Sequence, residues 1–237
     1  SLDLEEGEKA DIRFELVPAA SVILGGDAFF VDYQGPLELY KFTVVPEEES
    51  PEIYGSILAY GKATSINIIN VNSTHVIVPA NMAFRIEVEA TAQVGRQYIV
   101  RTFFIEDPKL SNLTKGEAIR VRVEQYSLLY SLNSTKELVQ SAGTSLTEME
   151  QRGFYVLAER SDLAKASSLV ESAEEKLVRG LYGECYADLC EAYTKAKYID
   201  GEAKSMPAQA SESTTFIIIF LALTSTALSY LLFEHWA

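Results

Sequence analysis

Cysteine and histidine are scarce, with two of each in 237 residues, and tryptophan occurs once. Cys185 and Cys190 stand five positions apart, which on a helix turning about 100° per residue separates them by about 140°. A bond between them would distort that helix or join two chains, because disulfides need converging Cβ vectors. Small apolar fillers on a helix face is the simpler reading. His75 and His235 fall in different parts of the chain, so no His/Cys metal centre assembles. His75 alone would have to carry a Ser-His-Asp triad, and it reads better as one position in a strand. The chain has no Cys-x-x-Cys-His haem signature, no Gly-x-Ser-x-Gly elbow and no phosphate-cradling glycine loop ahead of a helix. The expectation is a non-enzymatic protein with no cofactor and no metal.

Basic residues are also few. Lys and Arg number 20 against 34 Asp and Glu, leaving a net charge of −14 and a pI near 4.6. That balance repels nucleic-acid phosphates and disfavours a face lying on anionic lipid. The acids are scattered over 3–8, 47–52 and 171–175, so a solvated surface is expected. A weak calcium site at 47–52 is the second reading, without the spacing of a dedicated loop.

Long apolar runs are absent until the end. There 214–233 (TTFIIIFLALTSTALSYLLF) is uncharged and matches the roughly 20 residues a helix needs to cross a bilayer core. It reads as a single membrane span rather than a signal peptide or a removed lipid-anchor tail. Within it Ala222, Ser225, Thr226 and Ser229 recur at three and four residue steps, placing small and hydroxylated groups along one side. Such a side suits close packing against a partner's membrane helix or a second copy of this one.

Orientation is expected from three N-glycosylation acceptors, Asn72, Asn112 and Asn133, each in an Asn-x-Thr triplet N-terminal to the span. They put the N-terminal portion outside the cytoplasm and the 234–237 tail inside, a type I arrangement. The first residue, Ser1, fits removal of a leader. The tail has no Lys or Arg, so the positive-inside rule says little, while Tyr230 and Trp236 suit interfacial anchors. An acidic, cysteine-poor, exported glycoprotein is also a composition common on prokaryotic, particularly archaeal, surfaces.

The fold class expected is mainly β plus α. Nine short runs rich in Val, Ile, Phe, Tyr and Thr (12–17, 29–33, 37–45, 53–60, 65–71, 75–78, 84–92, 97–105 and 118–125) are bounded by turn residues at 25–27, 34–36, 79–81, 94–96 and 107–108. Strict alternation in 84–90 and 119–124 marks strands with one wet face, and the set points to an antiparallel β-sandwich over 1–126. The thirteen Tyr and eleven Phe would suit a sugar platform. Phe14, Phe42, Phe84, Tyr98, Phe103, Tyr186 and Tyr193 are instead assigned to the core. The period then changes to 3.6: a helix from about Ser134 or Thr135 along Leu138, Ala142, Leu146 and Met149, weakened by Gly143, and a second over 154–178 along Leu157, Ala164, Leu169, Ala173 and Leu177. Gly180 ends it. A third runs over 182–203 along Tyr186, Leu189, Cys190, Tyr193, Ala196 and Ala203, with Lys195, Lys197, Asp200 and Glu202 facing water. The 177–193 stretch resembles helical-hairpin repeats, in one copy only. These helices form a hairpin or small bundle over 127–205, followed by a polar linker at 206–213.

Two functions fit. One is a non-catalytic, membrane-anchored, extracytoplasmic subunit of a membrane or envelope assembly, with integral membrane partners. The other is a tethered binding module for a glycan or solute. An apolar ectodomain patch favours the first, and a concave site with converging polar groups the second.

Overall fold

A computed structural model of the protein describes residues 18–33, 39–46, 58–60, 75–94 and 96–234. The expected strands at 12–17 and 65–71, most of the one at 53–60, the turn at 34–36, the acidic stretch at 47–52, Phe14, the Asn72 acceptor, His235 and Trp236 lie outside the described residues. Among the described residues the fold is mixed, with two small sheets and three α-helices, the last of them long and apolar toward its C-terminus. The chain divides into two compact units, Ser1–Ala28 with Gly35–Tyr126, and Phe29–Gln34 with Ser127–Ala237.

In the first unit, β1 (Ala19–Gly25), β4 (His75–Pro79) and β7 (Ala118–Arg122) form one sheet in the order β4-β1-β7. β2 (Leu39–Pro46), β3 (Leu58–Tyr60), β5 (Phe84–Val94) and β6 (Gln97–Ile105) form the other, in the order β3-β2-β5-β6. Alternation decides each buried face. Ala20, Val22 and Leu24 are buried on β1, Val76 and Val78 on β4, and Ile86, Val88, Ala90 and Ala92 on β5. On the opposite face of β5, Lys41 Nζ reaches both oxygens of Glu89 at 3.1 Å. For a half-exposed cross-strand pair that contributes roughly 0.2–1 kcal/mol. After β6 a 3₁₀ turn, Pro108–Asn112, is capped by Asp107, whose carboxylate accepts from Lys109 N at 2.9 Å and from the Tyr126 hydroxyl at 3.2 Å.

Three strand expectations are corrected. The first sheet is not purely antiparallel, because β7 runs parallel to β1 while β4 runs antiparallel to it. β1 itself was not anticipated. The 29–33 run is no strand: Phe30 and Tyr33 make an isolated bridge around a turn, and the segment belongs to the second unit. Tyr98 is exposed rather than core. It stands five residues from buried Phe103, and a period of two puts positions five apart on opposite faces.

α1 (Val123–Gln151), which lies in the second unit from Ser127 on, begins directly after β7, eleven or twelve residues earlier than expected, and runs unbroken through Gly143. α2 spans Leu157–Val178. α3 spans Tyr182–Glu234 without interruption, so the expected linker at 206–213 is corrected to helix. Met206, Ala208, Gln209, Ala210 and Glu212 are good helix formers. Pro207 forfeits one backbone bond, a cost of about 3 kcal/mol, and Met206 packing just before it helps to offset that loss.

Both inter-helix turns use the same device. Phe154 N bonds Met149 O and Gly153 N bonds Glu150 O; Leu181 N bonds Lys176 O and Gly180 N bonds Leu177 O. Gly153 and Gly180, at φ 88° and 75°, take the left-handed position that such a double-bonded helix end requires. The buried face of α2 is Ala166, Val170 and Ala173; Leu157 and Ala164 are exposed, a correction to their expected core role. Two apolar clusters hold the helices. One gathers Leu128, Leu132, Val170, Cys185 and Leu189 around Val31, and the other gathers Ala142, Leu146, Met149, Val156, Ile199 and Ala203.

The 29–33 segment is clamped to α1 by hydroxyls. Phe29 N donates to Ser127 Oγ and Ser131 Oγ donates to Phe29 O, both at 3.0 Å, while Thr135 Oγ1 donates to Ser131 O at 2.7 Å. Ser127, Ser131 and Thr135 are all fully buried. Tyr186 adds a bond from its hydroxyl to Phe30 O at 3.3 Å and a ring contact with Phe29 at 5.1 Å.

Candidate functional site

α3 does two things along one helix. Its first half buries Cys185, Leu189, Ala192, Ala196, Ile199 and Ala203, a three-and-four spacing that turns one stripe toward α1 and α2. This packed stripe ends at Met206. Asp200, expected in water, is instead mostly covered, accepting from Ser145 Oγ at 3.1 Å and pairing with Lys204.

Beyond that point nearly every described residue of the helix is exposed. Its apolar window has 0% of its residues buried, and the eleven large apolar side chains between Phe216 and Leu232 are each 52–66% exposed. At about 1.5–3 kcal/mol per fully buried side chain, eleven of them in water would forgo on the order of 15–30 kcal/mol. That exceeds the whole stability of a typical domain. The segment is long and apolar enough to cross a membrane.

The backbone polar groups of this segment are paired along the helix, and its threonines follow the same rule. Thr214, Thr215, Thr224 and Thr226 donate to the carbonyls of Ala210, Ser211, Phe220 and Ala222 at 2.8–3.0 Å. A hydroxyl satisfied this way costs little in hydrocarbon. Ala222, Ser225, Thr226 and Ser229 are all exposed on α3, and their spacing sets them on one side of it.

The two sequons among the described residues differ. Asn112 is exposed at the end of the 3₁₀ turn, with Thr114 exposed two positions on. Asn133 is exposed too, but it lies inside α1 and its Thr135 is fully buried with the hydroxyl engaged.

Neither cysteine is in a disulfide bond among the described residues. Burial, with the neighbouring Asp188 charge, pushes the Cys185 thiol up to about 11, so it stays protonated and unreactive at neutral pH. Burial likewise raises the Tyr186 hydroxyl. Asp188 accepts from Ser172 Oγ at 2.7 Å and from Lys176 Nζ at 2.6 Å. Burial pushes its carboxyl up, and the two bonds with the Lys176 charge outweigh that and hold it below the usual range. A shallow groove of about 460 Å³ beside α1 and α3 is lined by Ser134, Glu137, Ser141, Tyr193, Lys197 and Asp200. Lys197 lies over the Tyr193 ring at 5.5 Å and Asp200 is tied to Ser145 and Lys204, so its Lys and Asp are already engaged. No group of three or more metal-ligating side chains is found among the described residues.

No family model, curated protein or solved structure matches the chain.

Sequence reading missed the buried hydroxyls Ser127, Ser131 and Thr135. Their four-residue spacing was the available signal, because polar groups repeated on one helix side beneath apolar neighbours ask for a buried partner.

Proposed function

We propose that the protein is a non-catalytic, membrane-anchored, extracytoplasmic subunit of a multi-protein membrane or cell-envelope assembly. The observation that carries this reading is the second half of α3: an exposed apolar helix continuous with one whose first half is packed in a folded unit. The helix crosses the bilayer once, with the first unit and the packed helices of the second outside and the 234–237 tail in the cytoplasm. The exposed acceptor at Asn112 supports that orientation.

The two sheets, each with one buried apolar face, support a β-sandwich for the first unit. The short double-bonded turn at Gly180 and the α2–α3 packing support a helical hairpin in the second. Assembly rather than solute binding is favoured by β6, the last strand in its sheet among the described residues, which exposes Tyr98, Val100 and Phe104 on one face. Exposed apolar and aromatic side chains in a row are what a protein contact uses.

The test is purification of the full chain from its native membrane in mild detergent, with and without Ser225→Leu and Ser229→Leu. The reading expects co-purifying membrane proteins whose yield falls in the double variant, as bulky leucines block close helix approach. A chain that purifies alone refutes the subunit reading and leaves the tethered binding module.

A further inference from the structure

We propose that the turn joining α1 to α2 rests on the membrane interface, with Tyr155 and Leu157 set among zwitterionic lipid headgroups. This rests on the reading of α3 as a membrane span.

The local structure divides the turn's side chains into two sets. Gly153 closes α1, after which Phe154 and Val156 turn inward onto the cluster of Met149, Ile199, Ala203 and Met206. The residues between and after them are driven outward, leaving Tyr155 84% and Leu157 66% exposed. Nothing in the unit requires an aromatic and a leucine there, and water is the least favourable medium for both.

Height along α3 brings these side chains to the lipid. The turn packs at the level of Ile199 to Met206, and α3 continues without a break to Glu234. Eight residues separate Met206 from Thr214, a rise of about 12 Å at 1.5 Å per residue. The headgroup layer accounts for about 5–8 Å of that, from a total thickness of about 40–45 Å around a core of about 30 Å. About 4–7 Å remain, within reach of one tyrosine side chain pointing along α3. The other turn stands far off. Gly180 precedes Tyr182, whose 32-residue separation from Thr214 amounts to about 48 Å, so exposed Val178 at that end cannot touch the same surface.

The chemistry fits lipid more closely than it fits a protein groove. Tyrosine is enriched at membrane–water boundaries, where its ring is sheltered and its hydroxyl wet, and exposed Arg152 can extend its charge to the phosphate level. Glu150 is neutralised by Arg160 at 2.7 Å, while Glu159 in the first turn of α2 adds a negative charge beside the turn. With a net charge of −14, attraction to anionic lipid is not the driving force, so the surface expected is zwitterionic. The consequence is a second foothold that restricts the tilt of α3.

The test uses the full chain in phosphatidylcholine vesicles with Trp236→Phe to remove the native indole, and one reporter at a time: Tyr155→Trp, Leu157→Trp, Val178→Trp or Phe220→Trp. Emission is read with quencher lipids carrying nitroxide at the headgroup or deep in the acyl chain. Headgroup quenching with blue-shifted emission at 155 and 157, none at 178 and deep quenching at 220 is the expected pattern. Aqueous emission at both 155 and 157 with 220 quenched overturns the proposal and spares the span. A blue shift at 155 without lipid quenching also overturns it, in favour of a protein contact. An unquenched reporter at 220 overturns both readings.

Discussion

Removing the two serines that clamp Phe29 gives the sharpest test of how the second unit is held. Ser127→Ala takes away the acceptor for Phe29 N and Ser131→Ala the donor to Phe29 O, each a 3.0 Å bond at a fully buried hydroxyl. A buried donor stranded without its acceptor costs about 1–3 kcal/mol, and an ordinary bond lost at the carbonyl about 0.5–1.5 kcal/mol. The double variant is therefore expected to lose about 1–4 kcal/mol of stability, below the plain sum because both bonds hold one residue. Two assays read this on the full chain in detergent: the denaturant midpoint of the helical signal, and hydrogen exchange at the Phe29 amide. In Ser127→Ala that amide's protection should fall about 5- to 150-fold. Thr144→Ala is the control, since its exposed hydroxyl only donates back to Gln140 O and should change stability by no more than about 0.5 kcal/mol. A double variant with the wild-type midpoint and unchanged Phe29 exchange would refute the clamp.

Two glycines should respond in opposite directions. A methyl at Gly143 would meet Leu163 Cδ2 at 3.5 Å, an ordinary contact, so Gly143→Ala should stabilise α1 by about 0.5–1 kcal/mol in a thermal unfolding scan. Gly180 has open space around it but a φ of 75°, and Gly180→Ala should cost about 1–2 kcal/mol in the same scan. The Lys176–Asp188 pair gives the pH dependence. Because the Asp188 carboxyl is depressed in the fold, its contribution is present above the unfolded carboxylate pKa of about 3.9 and is lost as pH falls through the lower folded value. Lys176 is raised, mainly by its bond to Asp188, so its contribution is present below about 10.4 and lost as pH rises beyond that. Asp188→Asn should flatten the acid limb of a stability–pH curve; an unchanged limb would assign it to other carboxylates.

What could be read from the sequence follows from where local pattern and tertiary structure agree. Phe84 to Ala90 alternates apolar and charged residues, and β5 buries its apolar set. The 97–105 run matches β6 end to end, and Gly180 ends α2. Misreadings occur where an equally valid local signal met a different environment. The aromatic, β-branched run at 29–33 looked like a strand, yet Val31 and the Phe29 backbone are claimed by α1 and α3. Alternation in 118–125 continued past Arg122, but the chain turns into α1 at Val123. Pro207 and its small neighbours suggested a linker, and helices on both sides carry the backbone through. At the candidate site, the apolar length was visible from composition alone. The outward turn at Tyr155 and Leu157 was not, because Leu157 carries the same hydrophobic label in lipid as in a core.

The unbroken course of α3 also fixes an angle. An ideal helix turns about 100° per residue, so the 22 positions from Ala203 to Ser225 close six turns and leave about 40°. The small-residue side of the apolar segment thus keeps nearly the compass bearing on which α1 packs higher up. Azimuth and elevation are locked together: one residue added at 206–213 would swing that bearing by about 100° while lifting the unit only about 1.5 Å, whereas seven would restore it to within about 20° and lift the unit by about 10 Å. On the proposed reading of α3 as a membrane span, a neighbour gripping the small-residue side would have its place around the packed helices dictated from within the bilayer.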